Sequence, residues 1–377
     1  MIAPAFNSDS RLMMFAPHPD DESLACSIPL QRAARAEAAV RVVYVTDGDD
    51  NPWPQRLLER KWRLNAADHK RWGRLRRAEA LAALRTLGFQ RSSACFLALP
   101  DQKLTSLLTR DCESVLGHFA TIIADWAPTD ILVPSISDTH PDHNALAVML
   151  RIAAAEFLVN EPPVSMWSYV VHGGSLVFFH RAQKFRQSES EKVMKLRAIS
   201  CHKTQLKLSR KRFLSYAARP EQVLKLNATE TTIADGSIQF FSRRPHTLDV
   251  KVKLSVRAVR SAEPTLFLLG RRATGALQCV NIRLPIRSSE IEVSDCATKR
   301  HLGWARYYGN AFAGELTIRI DTFSPADALF LKLERRSWFF DEAGWIEIPP
   351  TLTREQNARG RSSAGRLNVG EDSLPAR

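Results

Sequence analysis

The chain has 377 residues, of which 45% are apolar and 25% charged, and its formal net charge is +13. This composition is typical of a globular protein with room for two domains, each with a buried core. No run approaches the roughly 18 apolar residues that a membrane span needs, so we expect a soluble protein rather than a membrane-spanning one.

The positive charge is concentrated in two segments. Residues 56–77 hold nine Lys and Arg against two acids, and residues 181–219 hold twelve against two. Such segments indicate an anionic partner, which could be a phosphorylated sugar, a lipid surface or nucleic acid. The sequence contains no recognisable nucleic-acid-binding module, so we expect no specific nucleic acid.

The N-terminus and the cysteines predict where the protein acts. We see no basic start followed by a long apolar run, so we expect no secretory signal peptide. The six cysteines have no paired spacing, which is typical of reduced thiols. We therefore predict a cytoplasmic protein, with a peripheral contact to the inner face of the membrane through the two basic segments as an alternative.

Strand-like and helix-like patterns alternate over the first 225 residues. The predicted strands are short, apolar and bounded by Pro, Gly or Asp: 12–16, 40–46, 95–99, 130–135 and 167–171. The predicted helices lie between them: 23–39, 75–87, 104–126 and 144–159. This alternation predicts an α/β fold in which helices cover both faces of a parallel sheet.

From about residue 228 the pattern changes to short, often alternating strands separated by turn residues. We predict a first domain over 1–227 and a smaller all-β domain over 228–350, for which a β-sandwich is one architecture. Residues 351–377 are polar, rich in Gly, Ser and Arg, and without periodicity, so we predict a disordered tail.

Polar motifs follow three of the predicted strands: "FAPHPDDE", "YVTDGDD" and "VPSISDTHPDH". Ligands bind where such strands end. His18 and Asp21 are three residues apart at a strand-to-helix turn, and His140 and His143 repeat that spacing. A His/Asp/His set with one open position is typical of catalytic zinc. Asp20, between two of these residues, has the chemistry of a general base.

Six motifs carry a family resemblance. "PHPDDE", "TDGD", "RRAE", "LPD", "HPDH" and "KLRAISCHKTQ" occur in the order seen in the PIG-L/LmbE-like de-N-acetylases, over residues 12–225. That family removes an acetyl group from N-acetylglucosamine units of glycolipids, sugar–inositol conjugates and related molecules. The resemblance implies a zinc hydrolase on a Rossmann-like fold, with one Zn²⁺ per chain or another divalent metal in its place. It implies an anionic sugar conjugate or glycolipid as the substrate.

The resemblance also implies roles for the motif residues. His18, Asp21 and His143 would bind the metal. Asp20 would deprotonate the attacking water and later protonate the leaving amine.

Four further residues take implied roles from the same resemblance. His140 would stabilise the oxyanion, with Asp142 orienting and charging it. Arg76 in "RRAE" and Asp101 in "LPD" would contact the substrate. We assign no chemical role to His202 and Gln205 in "CHKTQ", which could shape only the pocket wall.

Other interpretations of these patterns stay open. "PHPDDE" also suits a helix start with acids in its first turn, although "HPDH" downstream makes a site the stronger interpretation. Alternative functions are a metal-dependent phosphoesterase acting on a sugar phosphate and a catalytically inactive glycan-binding protein. Trp53, Trp62 and Trp72 could form a lid or pack in the core. The remaining histidines, His172 among them, are more typical of surface or satisfied polar positions.

Overall fold

The structure is a computed structural model that describes residues 3–157, 164–226, 236–254, 264–334, 336–337 and 339–351. The chain divides into two compact units, Met1–Glu230 with Glu334–Trp345 and Thr231–Leu333 with Ile346–Arg377. The segment Glu334–Trp345, called the inserted hairpin below, therefore belongs to the first unit although it lies far along the chain. The predicted boundary at 227/228 lies outside the described residues, as does the predicted disordered tail over 351–377 apart from its first residue.

The first unit is built on one mixed sheet. Its strands are β1 (Arg11–Ala16), β2 (Ala39–Thr46), β3 (Ala94–Leu99), β4 (Asp130–Pro134), β5 (Ser165–Tyr169), β6 (Gln183–Lys184) and β7 (Gln222–Lys225). They are ordered β3-β2-β1-β4-β5-β7-β6. The first five run parallel, as predicted, whereas β7 runs antiparallel to β5 and β6. All residues of β1 from Leu12 to Ala16 are fully buried, so both faces of the sheet are covered.

The described helices of this unit follow the strands in chain order. They are α1 (Asp21–Leu24), α2 (Ser27–Arg35), α3 (Pro52–Glu59), α4 (Ala66–Thr86), α5 (Leu104–Arg110), α6 (Glu113–Trp126), α7 (Pro141–Phe157), α8 (Leu176–Arg181), α9 (Glu189–Cys201) and α10 (Lys203–Ser215). The α/β class with helices over the sheet is confirmed.

The predicted helices differ from the observed ones in their bounds, and α7 begins three residues before the predicted residue 144. The predicted helix 23–39 is two helices that break at Ala25–Cys26, and 104–126 is two helices that break at 111–112. Helix α4 begins well before the predicted residue 75, because Asn65 and Asp68 form a reciprocal capping box at its start.

The second unit is all-β, as predicted. Its strands are β8 (Ile238–Arg243), β9 (Thr247–Lys253), β10 (Thr265–Arg271), β11 (Leu277–Arg283), β12 (Ser289–Asp295), β13 (His301–Gly309), β14 (Ala313–Arg319), β15 (Leu329–Glu334) and β18 (Ile346–Ile348). The described strands form one continuous nine-stranded sheet rather than a two-sheet sandwich. Strand β13 was not predicted, because Gly303 and Arg306 interrupt its apolar alternation.

The inserted hairpin contains two short strands, β16 (Arg336–Ser337) and β17 (Phe340–Asp341), which pair antiparallel with each other. None of the helices in the described part of the chain combines the length and apolar character that crossing a membrane requires.

Candidate active site

The two histidine motifs meet at one edge of the first sheet. The chain leaves β1 and turns into α1, and it leaves β4 and turns into α7. Because β1 and β4 are parallel neighbours, both turns lie at the carboxyl edge of the sheet. His18 Nδ1 consequently lies 3.1 Å from His143 Nε2, although 125 residues separate them in the chain.

Asp21 completes a triangle of donor atoms with these histidines. Its Oδ2 lies 3.7 Å from His18 Nδ1 and 3.5 Å from His143 Nε2. Bonds of about 2.0–2.1 Å to a tetrahedral zinc place neighbouring ligand atoms about 3.4 Å apart, so the triangle has the right size. All three residues are buried. Asp21 Oδ1 has no hydrogen-bond partner in the described part of the chain, which leaves the carboxylate available to a cation.

The outer nitrogens of both histidines face carboxylates. His18 Nε2 lies 3.2 Å from Asp101 Oδ1 and 3.3 Å from Asp142 Oδ2, and His143 Nδ1 lies 3.3 Å from Asp138 Oδ2. An N–H on each outer nitrogen leaves a lone pair on each inner one. Two lone pairs repel each other, so only a shared proton or a metal cation makes the contact between His18 Nδ1 and His143 Nε2 favourable. Although burial alone would lower it, Asp101 and Asp142 hold the pKa of His18 well above its usual range, so the site favours positive charge.

Asp20 is fixed beside the donor triangle. Its φ of 150° lies in a region that residues other than glycine rarely adopt. Its backbone N–H donates to Glu22 Oε2, and its Oδ2 accepts from Arg76 Nη2, each at 3.0 Å. Burial raises the pKa of Asp20 to about 6, against the attraction of the Arg76 guanidinium. A carboxyl group with that pKa can accept and return a proton near neutral pH.

His140 stands on the other side of the donor triangle. Its ring centroid lies 4.8 Å from that of His18. The backbone N–H of Asp142 donates to His140 Nδ1 at 3.2 Å, which favours the tautomer with its proton on Nε2. The Asp142 carboxylate contacts His18 and accepts from the backbone N–H of Gln102 at 2.7 Å. The predicted charging of His140 by Asp142 stays a prediction.

Arg76 and Asp101, predicted to contact the substrate, already have protein partners. Arg76 donates to the backbone carbonyls of Pro19 and Gly48 at 2.7 and 2.9 Å. Asp101 accepts from the backbone N–H of Asp50 at 2.8 Å. These contacts hold the loops after β1 and β2 in place. A substrate contact by either residue stays a prediction.

Sequence reasoning missed Asp138. This fully buried carboxylate faces His143, and it accepts the backbone N–H groups of His140 and Val171 at 2.8 and 2.9 Å. Although burial alone would raise it, the neighbouring His143 keeps the pKa of Asp138 below its usual range. Its position in the loop after β4, two residues before His140, was the available signal.

His172 also lies in the site, although the sequence grouped it with background histidines. Its ring centroid is 5.1 Å from that of His143 and 5.5 Å from that of His140. Burial, with His143 beside it, lowers the pKa of His172 to about 4, so the ring is neutral at neutral pH. Its buried Nδ1 has no hydrogen-bond partner among the described residues. The pairing of β4 with β5, just before His172, brings it here.

Glu22 is one of the acids that the sequence predicts for the first turn of a helix. Its side chain is buried and contacts His202, so it is not a surface acid. Its Oε1 lies 2.8 Å from His202 Nε2. This contact ties the "CHKTQ" motif to the start of α1.

A cavity of about 250 Å³ lies beside the donor triangle, and His18, Asp20 and His140 are among its lining residues. Two cations, three amide side chains and several apolar side chains also line it. These are Arg76, Arg212, Asn51, Gln102, Gln205, Trp53, Leu208, Phe213, Phe339 and Phe340. The walls therefore offer both hydrogen-bonding groups and apolar surfaces.

The three tryptophans near this cavity have different environments. Trp72 is 1% exposed and packs in the core, whereas Trp53 is 47% exposed and lines the cavity. Trp62 is 77% exposed. Arg56 lies over the rings of Trp53 and Trp62, at 5.2 and 5.8 Å from their centroids. Trp72 is thus a packing residue, while Trp53 belongs to the cavity wall.

Part of the charge in the two basic segments is used within the protein. Lys61 pairs with Asp68 at 2.5 Å, and Lys195 is buried against Glu221 at 2.8 Å. Arg77 makes two contacts of 2.6 Å with Asp47. A membrane contact through the remaining cations stays a prediction.

Residues 13–154 match the family model described as PIG-L, GlcNAc-PI de-N-acetylase. The predicted resemblance is confirmed over this region. The PIG-L region contains His18, Asp20, Asp21, His140 and His143, and the match supports a hydrolytic de-N-acetylase. No curated protein matches the chain.

Several solved structures are similar to the chain. One is the N,N'-diacetylchitobiose deacetylase from Pyrococcus horikoshii, with 17% identity and a TM-score of 0.45 over 58% of this chain and 84% of that one. Another is the teicoplanin deacetylase Orf2 in its zinc-inhibited form, with 16% identity and a TM-score of 0.42 over 58% and 99%. A third is GalB, the 4-carboxy-2-hydroxymuconate hydratase from Pseudomonas putida KT2440, with 19% identity and a TM-score of 0.44 over 56% and 83%.

Proposed function

We propose that the protein is a zinc-dependent hydrolase that removes the N-acetyl group from an N-acetylglucosamine-type sugar conjugate. The observation that carries this proposal is the triangle of His18, Asp21 and His143 donor atoms beside Asp20, within the PIG-L region. A general base next to a three-donor metal site is what amide hydrolysis needs.

The metal would be held by His18 Nδ1, Asp21 Oδ2 and His143 Nε2, with Asp101, Asp142 and Asp138 orienting the two imidazoles. When bound, it would supply a water of lowered pKa and polarise the amide carbonyl.

Asp20 moves the proton. As water attacks the acetyl carbonyl carbon, one water proton passes to the Asp20 carboxylate. When the C–N bond breaks, that proton passes to the departing nitrogen, so the products are the free amine of the sugar and acetic acid, which releases its remaining proton to give acetate. Burial of Asp20 supports this role, because a carboxyl pKa of about 6 suits both transfers.

His140 would stabilise the charge that develops on the carbonyl oxygen. The contact from the Asp142 backbone N–H to Nδ1 favours a proton on Nε2, which makes that nitrogen a hydrogen-bond donor. Removing one donor of this kind typically costs about 10²–10³ in rate.

The cavity walls support a sugar as the substrate. Asn51, Gln102 and Gln205 can donate to and accept from hydroxyl groups, while Trp53 and Phe340 offer flat apolar surfaces to the faces of a sugar ring. A volume of about 250 Å³ accommodates a single sugar unit with its acetamide group more readily than a long oligosaccharide.

The test is the release of acetate from N-acetylglucosamine conjugates by the zinc-loaded full chain. Asp20→Asn should lower the rate by about 10²–10⁴-fold while leaving about one zinc per chain. Asp47→Asn is the matched control, because Asp47 follows β2 and pairs with Arg77 outside the cavity. Wild-type turnover by Asp20→Asn would overturn the assigned base. Two metals per chain with no acetate release would instead favour the phosphoesterase.

A further inference from the structure

The inserted hairpin is fastened to the loop that carries His140. The backbone N–H of Asp341 donates to Thr139 O, and that of Trp345 donates to Ile136 O, each at 2.7 Å. The buried Asp341 carboxylate also accepts from Asn144 Nδ2 at 2.9 Å. These contacts bracket the "SDTHPDH" motif on both sides.

Close backbone packing reinforces this attachment. A Cβ atom at Gly344 would lie 1.9 Å from Ile136 O and 2.8 Å from Ser137 Cα, so only glycine allows the approach. The hairpin is thus a built part of the first unit, although the PIG-L region ends at residue 154.

Phe340 reaches the reacting groups from this hairpin. Its ring centroid lies 5.9 Å from that of His140 and 5.3 Å from that of His172. The ring lines the same cavity as His18 and Asp20. Phe340 therefore presents an apolar surface of the cavity next to His140 and His172.

Arg212 supplies a cation beside that surface. Its guanidinium lies 5.5 Å from the Phe340 ring centroid, and the residue lines the cavity while remaining exposed. Within the described residues, no acidic side chain forms an ion pair with it. Arg76, the other cation of the cavity, is instead paired with Asp20. A guanidinium in this situation suits a planar bidentate contact with an oxyanion of a ligand.

We propose that Phe340 and Arg212 form a second subsite of the pocket, which takes a sugar that carries an anionic group. The Phe340 ring packs against the apolar face of the sugar next to its acetamide, and Arg212 binds a phosphate or carboxylate attached to that sugar. This inference rests on the proposed function and gives the substrate class: an anionic N-acetyl sugar rather than a neutral one.

The test measures binding, so that it does not depend on turnover. The zinc-loaded full chain carrying Asp20→Asn is titrated by calorimetry with N-acetylglucosamine, N-acetylglucosamine 1-phosphate and N-acetylmuramic acid. The two charged sugars distinguish phosphate from carboxylate as the anion. Adding Arg212→Gln should weaken binding of a charged sugar by about 10–100-fold and that of the neutral sugar by less than about 2-fold.

Matched variants separate the two residues. Arg210→Gln changes the same charge on an exposed residue of α10 that does not line the cavity, and it should leave all three affinities unchanged. Phe340→Ala should weaken binding of all three sugars by about 3–10-fold. Phe312→Ala, an exposed Phe of the second unit, should weaken none.

The outcomes distinguish this inference from the proposed function. An equal effect of Arg212→Gln on all three sugars, an effect no larger than that of Arg210→Gln, or no binding of any sugar to the parent would overturn the subsite. If the charged sugars bind as expected but the protein with Asp20 intact releases no acetate from them, the subsite stands and the deacetylase proposal falls.

Discussion

The motif loops and the inserted hairpin form one pocket in different ways. The motif loops contribute reactive side chains: His18, Asp20 and Asp21 after β1, and His143 after β4. The hairpin contributes an aromatic ring and backbone hydrogen bonds, and the chemistry that we propose uses none of its ionisable groups.

This difference shows what each part needs from its sequence. Metal binding needs particular donor atoms within a few residues of a strand end, so it leaves a short pattern. A pocket wall needs only a surface held in the right place, and many sequences provide one. The chemistry can therefore be predicted from short sequence motifs, whereas the substrate specificity depends on contacts between residues that are distant in the chain.

Of three further variants that test this comparison, the one with the largest expected effect concerns the motif loops. Asp138→Asn replaces the carboxylate that faces His143 Nδ1 by a neutral amide with one acceptor oxygen, so the imidazole loses the charged acceptor that fixes its ring. We expect zinc affinity to fall by about 10–100-fold, measured by competition with a chromophoric chelator. Asp130→Asn, at the start of β4 on the Trp167 indole, should leave it unchanged. Unchanged zinc affinity in a folded Asp138→Asn protein would show that Asp138 does not orient the ligand.

Among the site residues, too, those in local motifs were predicted from the sequence and those placed by distant contacts were not. His18, Asp21 and His143 were placed together because each belongs to a motif after a predicted strand, and parallel strands end at one edge. Asp138 was missed because a single acid in a polar loop has no distinctive spacing. His172 was missed because its proximity depends on the pairing of β4 with β5.

In the fold as well, elements with a local sequence pattern were predicted, and an element placed by distant contacts was not. The parallel strands of the first unit were predicted because each is a short apolar run with clear bounds. The inserted hairpin was not, because residues 334–345 were included in the predicted all-β domain over 228–350 and have no pattern of their own that separates them from it. Its place in the first unit rests on backbone contacts to Ile136 and Thr139, which no local pattern encodes.

A smaller effect tests the hairpin. Asp341→Ala removes the acceptor of Asn144 Nδ2 and loosens the hairpin from the loop of His140. We expect the free energy of unfolding to fall by about 1–3 kcal/mol. We also expect kcat/KM for acetate release to fall by about 10-fold with the zinc content unchanged, because Phe340 loses its fixed position.

Glu342→Ala is the neighbouring control, since that side chain is exposed. If Asp341→Ala destabilised the protein but kept full kcat/KM, the hairpin would be a structural strap and not a wall of the pocket. Comparison of the two variants under conditions where both are fully folded separates these outcomes.

The smallest expected effect concerns a polar cluster outside the pocket and sets the baseline for the other two. Although burial alone would raise it, Arg32 and the backbone N–H of Ser188 lower the pKa of Glu191 from 4.5 to about 2. Since the folded value is the lower one, this carboxylate stabilises the fold above pH 4.5, and its contribution is lost as the pH falls towards 2. Partial exposure of Arg32 and Arg35 limits the effect to about 1 kcal/mol.

Glu191→Gln should therefore lower the free energy of unfolding by about 1 kcal/mol at pH 7, and the difference from the wild type should shrink between pH 4.5 and 2. Urea unfolding at several pH values measures this. Glu189→Gln in the same helix, on an exposed pair with Lys192, should change little. Acetate release at pH 7 should stay at the wild-type rate. Glu191 stabilises the fold but contacts neither the donor triangle nor the inserted hairpin. A loss of turnover in Glu191→Gln would mean that α9 positions the catalytic groups. The cluster around Glu191 would then belong to the functional site and not only to the supporting fold.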